Sequence, residues 1–219
     1  MAFSLIVVGA TGNVGRGIVA AARKRDWEVT AVDRDTVGFD ALPDEFAGVK
    51  TVVGSVADAE RAAELAGRLD LASADAVVVA VNIPWTPTPV LATTWAQADD
   101  HLGPYLRLHL SAATTFLPAL SAGAVYLGMG GGMADIPARG MGVVSMAQAA
   151  QRMLYRHLER EARASEVLVR EVMIRAMVHG FGQPGEPGPG MLGSDVIGER
   201  VCDVLIDARE QEVVVVLEV

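Results

Sequence analysis

The sequence predicts a single doubly wound α/β domain over residues 1–219, with a mostly parallel sheet of about seven strands covered by helices on both faces. Three observations carry this. Short β-branched runs alternate with longer alanine-rich segments, the 51% hydrophobic content suffices for one continuous core, and 219 residues make one generous domain.

Strands are expected at Ser4–Val8, Glu28–Val32, Lys50–Val53, Ala76–Val81, Ala124–Leu127, Val167–Val172 and Val213–Val219. Helices are expected at Gly15–Lys24, Ala57–Arg68, from about Leu91 or later to Leu117, Met146–Ala164 and Asp195–Ile206. Gln183–Gly193, rich in Gly and Pro, reads as a loop and, because it follows a strand end, as a flap over a substrate.

Charge and composition narrow the function. A net charge of -9 with only two lysines, Lys24 and Lys50, leaves no cationic face for nucleic acid or an anionic membrane surface. The charge-free stretches Ala76–Ala98 and Leu108–Ala134 are broken by Pro84, Pro87, Pro89, Pro118 and the glycines at 128 and 130–132, so they read as core rather than membrane spans. The lone cysteine, Cys202, excludes an internal disulfide and reads as a small buried hydrophobe, which points to a cytoplasmic setting. Met1–Ala10 is apolar without a basic leader, which argues against a signal peptide. Asp99-Asp100-His101 reads as a solvated helix start, since three consecutive residues cannot face one metal, and no metal is expected.

The clearest motif is Ser4-Leu5-Ile6-Val7-Val8-Gly9-Ala10-Thr11-Gly12-Asn13-Val14-Gly15. A strand enters a turn spaced Gly-x-x-Gly-x-x-Gly, and a helix begins there. Gly9 makes the tight turn, Gly12 admits a pyrophosphate and Gly15 lets helix and strand approach, while the helix start offers unpaired N–H groups. The second strand ends in Asp33, eighteen residues after Gly15, where a carboxylate accepts from ribose hydroxyls. The pattern reads as the site for the adenosine-diphosphate part of NAD or NADP. Asp33 favours NAD, because it would repel a 2′-phosphate, although the adjacent Arg34 could stack on adenine or hold that phosphate.

With this Gly-Ala-Thr-Gly-x-x-Gly form the chain resembles the short-chain dehydrogenase/reductase superfamily, in its extended and atypical branches, and a Rossmann-like fold is implied. Further segments carry the resemblance. Gly54-Ser55-Val56 is similar to the stretch that touches adenine, with Ser55 where the family usually has Asp. Val78-Val79-Ala80-Val81-Asn82 resembles the fourth strand, whose end lies beside the cofactor. Ile174-Arg175-Ala176-Met177-Val178-His179-Gly180 resembles the sixth-strand motif, with Ala176 replacing Pro and His179 replacing Tyr.

The resemblance implies a Ser and a Tyr-x-x-x-Lys pair, in which the lysine lowers the pKa of the proton-transferring tyrosine. Here Val144 falls at the tyrosine, Gln148 at the lysine, and Gly130 or Gly131 at the serine. Both lysines lie within the first fifty residues, so no Tyr-x-x-x-Lys exists. Tyr155-x-x-x-Glu159 is no substitute, because a carboxylate raises the pKa of a phenol.

The replacement acid–base candidates are His179, then Asp135, with His109 and Tyr105 on the central helix facing either the pocket or the core. Gly128-Met129-Gly130-Gly131-Gly132-Met133 could offer backbone N–H groups to an anion, or leave room for a bulky ligand. The sequence thus predicts an NAD(P)-binding protein, either an enzyme with a non-standard site acting on a small organic substrate, redox or not, or a dinucleotide sensor or non-catalytic partner subunit. A homodimer or homotetramer is expected, pairing alanine-rich helices around Ser111–Leu117 and Ala147–Ala164.

Overall fold

The structure is a computed structural model that describes residues 2–41, 44 and 46–219. In chain order it runs β1 (Ser4–Val8), α1 (Asn13–Lys24), β2 (Glu28–Asp33), α2 (Val37–Ala41), β3 (Lys50–Val53), α3 (Ala59–Ala66), β4 (Ala76–Val79), α4 (Trp95–Phe116), β5 (Val125–Gly131), α5 (Gly142–Ala162), β6 (Leu168–Ile174), β7 (Met177–His179), β8 (Met191–Gly193), α6 (Ser194–Ile206) and β9 (Val214–Leu217). Seven strands form one parallel sheet in the order β3-β2-β1-β4-β5-β6-β9. This is the Rossmann-like, doubly wound arrangement that the alternating pattern predicts, with its reversal of strand order between β1 and β4.

The central strands read as continuous apolar runs because helices cover both faces. Leu5, Val7, Val78, Leu127 and Val172 pack with Ile18 of α1 and Ile197 and Val201 of α6. The alternate residues Ile6, Val8, Val77, Val79 and Val169 face the other way, toward Leu65 of α3, Phe116 of α4 and Leu158 of α5. α1 and α6 cross closely: a Cβ on Gly198 would overlap the carbonyl oxygen of Gly17. Arg25 ties the pair further, 3.0 Å from Glu199 and 2.6 Å from Asp203. Cys202 lies fully buried between these helices, where burial pushes its thiol up to about 11, so it is the small hydrophobe expected.

α4 starts four residues past the earliest expected point, at a capping box in which Thr94 accepts from the Gln97 N–H and the Gln97 side chain accepts from the Thr94 N–H. Pro104 is accommodated inside this helix. No helix among the described residues is long and apolar enough to cross a membrane.

Two departures from the expected elements bear on function. β5 continues four residues beyond Leu127 to Gly131, because Gly128–Gly131 stay in register with Glu171–Ile174 of β6. The last three residues of the expected loop Gln183–Gly193 form β8, which pairs in parallel with β7 in a small second sheet. Ser194 Oγ donates to the His179 carbonyl at 2.9 Å and fastens this sheet to the start of α6.

Candidate functional site

Gly9 adopts φ +83, a left-handed conformation suited to glycine, and a Cβ there would overlap the carbonyl oxygen of Ala80 just past β4. Its N–H and that of Ala10 donate to the Val32 carbonyl at 2.9 and 3.0 Å, so the turn is moored on β2 and β4 together. A Cβ on Gly15 would overlap the Gly9 carbonyl, which makes that position the close helix-to-strand contact. Gly12 differs: a Cβ there would meet only the Gly9 oxygen at 3.4 Å, and both Gly12 and Asn13 are exposed. α1 starts from Gly12 with no side-chain cap and no acidic residue in its first turn, leaving a positive dipole end facing outward. Thr11 and Val14 are half-buried, and Val14 packs on the core beneath the loop.

Asp33 sits at the C-terminal end of β2, where its Oδ2 accepts from the Thr11 N–H at 3.1 Å and the Thr11 hydroxyl at 2.6 Å. Its Oδ1 accepts from the Arg34 N–H at 2.8 Å. An ionised carboxylate has about four acceptor sites, so capacity for a ribose hydroxyl remains. The Arg34 side chain is exposed and lies 3.4 Å from Asp35. Ser55 Oγ accepts from the Ala57 N–H at 3.1 Å, and Val56 turns its side chain into the core, so only the backbone of Val56 is left to a ligand. Val81 and Asn82 follow Ala80 from the end of β4, with Asn82 exposed. The structure therefore brings Gly9, Gly12, Asn13, Asp33, Arg34, Ser55, Ala80, Val81 and Asn82 to one end of the sheet, at the carboxyl ends of β1, β2, β3 and β4.

β7 delivers a further wall. A Cβ on Gly180 would lie 2.8 Å from Asn13 Oδ1, and Phe181 carries the Arg16 guanidinium 5.3 Å from its ring centroid. His179 is thereby set near the start of α1, partly exposed, with Nε2 3.4 Å from the Gln183 carbonyl oxygen.

The other expected acid–base candidates are occupied differently. Asp135 is clamped by ion pairs to Arg152 and, at 2.9 Å, Arg175, and these arginines hold its carboxyl below the usual range. It is a stabilised carboxylate rather than a proton carrier. Tyr105 and His109 face the core: burial pushes the Tyr105 phenol up and the His109 imidazole down to about 4. Tyr105 donates to Gln151 Oε1, whose amide donates to the Met129 carbonyl at 2.9 Å, and His109 Nδ1 stands 3.3 Å from the Tyr155 hydroxyl. His101, expected at a solvated helix start, is also buried, between the Trp85 and Tyr105 rings at 5.2 and 5.7 Å. Only Asp99 and Asp100 match that expectation. The one-turn spacing of residues 101, 105 and 109 aligns them on the face of α4 that meets α5, a signal the sequence did carry.

On the same face of the sheet the β5 glycines are filled from within. A Cβ on Gly128 would overlap the Tyr155 ring, one on Gly130 would overlap Glu171 Oε1, and one on Gly131 would overlap the Gln148 amide. The room predicted for a bulky ligand is taken by the protein's own side chains. Tyr155, Gln151 and Glu171 were not among the expected site residues. Glu171 interrupts an apolar strand, the only signal that pointed to it. Gln148 and Val144 both lie on the first two turns of α5, beside the end of β5.

With this geometry the chain is a dinucleotide-type α/β domain, and the comparisons define it further. The family described as NAD(P)H-binding matches residues 9–112. The fold is that of the short-chain dehydrogenase/reductases. An oxidoreductase of that family from Burkholderia thailandensis superposes with a TM-score of 0.82 at 19% identity, covering 99% of this chain and 90% of the other. An alcohol dehydrogenase from Thermococcus sibiricus, complexed with 5-hydroxy-NADP, gives 0.83 at 19% identity, covering 100% and 97%. A short-chain dehydrogenase from Burkholderia cenocepacia, in complex with NADP, gives 0.82 at 16% identity, covering 98% and 96%. No curated protein matches the sequence.

Proposed function

We propose that the protein binds a nicotinamide dinucleotide along the C-terminal edge of its sheet and transfers hydride between it and a small organic substrate. The single observation that carries this is the loop at Gly9–Gly15: a moored turn, an open Gly12 and an uncapped helix start facing the same edge as Asp33. The pyrophosphate would lie at Gly12, Asn13 and Val14, the adenosine at Asp33, Arg34, Ser55 and Val56, and the nicotinamide end past Ala80, Val81 and Asn82. The Asp33 charge favours NAD over NADP. The oxidoreductase assignment draws on the neighbours of the same fold. Calorimetry with NAD(H) and NADP(H) tests the reading: micromolar binding of at least one pair supports it, and no affinity for any of the four removes it.

A second reading is favoured by Val144, Gln148 and Gly130 or Gly131, which fall where the resemblance puts Tyr, Lys and Ser. In that reading the protein senses the dinucleotide, or supports an active partner, without chemistry. Turnover by the purified chain separates the two, and so does recovery of a catalytic partner from the native source.

The same proposal includes self-association in a reducing, cytoplasmic setting. Met146, Ala150 and Met153 lie exposed along α5, and Leu110 lies exposed on α4, so an apolar stripe remains on the helices expected to pair. Met153→Glu should convert a dimer or tetramer to smaller species in sedimentation. A parent that is monomeric at every concentration would remove this part.

A further inference from the structure

We infer that Glu171 is the acid–base group of this site, giving a proton to the oxygen of a ketone or aldehyde as hydride arrives from the dinucleotide. The inference rests on the dinucleotide reading above and adds the residue that completes its chemistry.

The argument begins with register. Glu171 pairs with Gly128, yet its Oε1 occupies the space that a Cβ on Gly130 would take. The side chain therefore leans two residues, roughly 7 Å, toward the C-terminal edge. β4 ends at Val79, which also pairs with Gly128, and the chain then passes through Ala80 against Gly9 of the phosphate loop. The carboxyl thus reaches past the end of β4 toward the edge where an open α/β sheet binds its ligand.

Glu171 is 1% exposed, and its Oε2 is buried without a hydrogen-bond partner. A carboxyl oxygen buried there without a partner calls for an explanation beyond packing. At the start of α5, Gln148 Oε1 is also buried without a partner, and the Gln148 amide stands against Gly131, the residue after Gly130 in β5. Unsatisfied polar groups from β6 and α5 thus adjoin one two-residue stretch of backbone that carries no side chains of its own.

Around the carboxyl stand Tyr105 of α4, Tyr155, Arg152 and Arg156 of α5, and Asp135. Burial outweighs the opposing charges of Arg152 and Arg156 and raises the carboxyl to about 7, with Asp135 adding to the rise. A group poised there can both hold and release a proton near neutral pH.

A bound reduced nicotinamide would supply hydride, with its electron pair, to the carbonyl carbon, and the carbonyl π pair would move to oxygen. That oxygen takes the Glu171 proton, directly or through one water. The products are the alcohol, the oxidised dinucleotide and the Glu171 carboxylate, which regains a proton from solvent.

The test measures affinity of the full chain for NAD+ with NADH, and NADP+ with NADPH, from about pH 6 to about pH 8.5. A carboxylate beside the nicotinamide favours its positive, oxidised form. The parent should bind the oxidised form roughly tenfold tighter at the upper end, the reduced form equally throughout, and Glu171→Gln should lose the rise. A rise that persists in Glu171→Gln but disappears in His179→Ala overturns the inference in favour of His179, and no rise with both forms bound overturns it outright. Binding of no dinucleotide would instead sink the underlying reading. Should Glu171→Gln not fold, the parent and His179→Ala decide: release of protons on binding the oxidised but not the reduced form, in both proteins, supports the inference, and equal release with both forms, or release lost in His179→Ala, overturns it.

Discussion

Two glycine clusters stand within this sheet, and they do opposite things. At Gly9, Gly12 and Gly15 the chain turns from strand to helix, and the absence of a side chain at Gly12 leaves open surface beside unpaired N–H groups. At Gly128, Gly130 and Gly131 the chain stays in the ladder, and the missing side chains are replaced by Tyr155, Glu171 and Gln148 from neighbouring elements. Glycine marks a close approach in both places. Whether the approaching group is a ligand or the protein's own interior depends on what the rest of the fold has already put there.

The largest expected effect tests the interior of the second cluster. Glu171 is raised from 4.5 to about 7, so the folded state holds a proton that the unfolded chain has released, and stability should fall as pH rises between those values. The full loss is about 3 kcal/mol. His109 works in the other direction: lowered from 6.5 to about 4, it withholds a proton that the unfolded chain takes up, so its contribution is lost as pH falls through that window. The two slopes oppose each other over the shared range. Denaturant titrations at a series of pH values should show a nearly flat parent there, declining toward about pH 7.5, and a Glu171→Gln protein whose stability rises with pH and then stays level. A parent and a variant with the same profile would show that the carboxyl is not held protonated.

Next in size is substitution at the first cluster. Gly12→Val places a branched side chain where the pyrophosphate would approach and should cost at least a hundredfold in dinucleotide affinity, about 2.7 kcal/mol. Because a Cβ there meets only one atom, at 3.4 Å, the melting temperature should hardly move. Gly128→Ala should do the reverse. Its methyl group enters the Tyr155 ring, so a stability loss of about 1–3 kcal/mol is expected, with affinity nearly unchanged. Calorimetry and thermal unfolding on both variants check the contrast, and a Gly12→Val protein that binds normally would abolish it.

The smallest effect concerns cofactor preference. Asp33→Ala should shift the NAD-to-NADP affinity ratio toward NADP by about 1 kcal/mol, through removal of a charge beside the 2′ position. Some general loss is also expected, since Thr11 loses the acceptor for its hydroxyl and N–H. An unchanged ratio would place the ribose elsewhere.

The sequence by itself determined the architecture and the phosphate loop. Among the described residues, the seven strands of the main sheet and five of the six α-helices lie where alternation and apolar runs place them, because each signal is local: a period, a run, a glycine spacing. It could not show α2, which is five residues long, or the β7–β8 pair, whose strands are three residues each and too short to show a period. Nor could it decide which way a polar residue on an amphipathic helix would face. Tyr105 and His109 were equally compatible with pocket and core, and their contacts with Gln151 and Tyr155, 46 residues away in each case, settled them in the interior. Asp135 read as the second acid–base candidate until the fold brought Arg152 and Arg175 to it from 17 and 40 residues along the chain. Glu171 is the strongest case: a charged residue within an apolar strand acquires its raised pKa only from the burial that α4 and α5 impose. Local pattern is written in neighbouring residues, whereas burial and charge pairing are sums over groups that only the folded chain brings together.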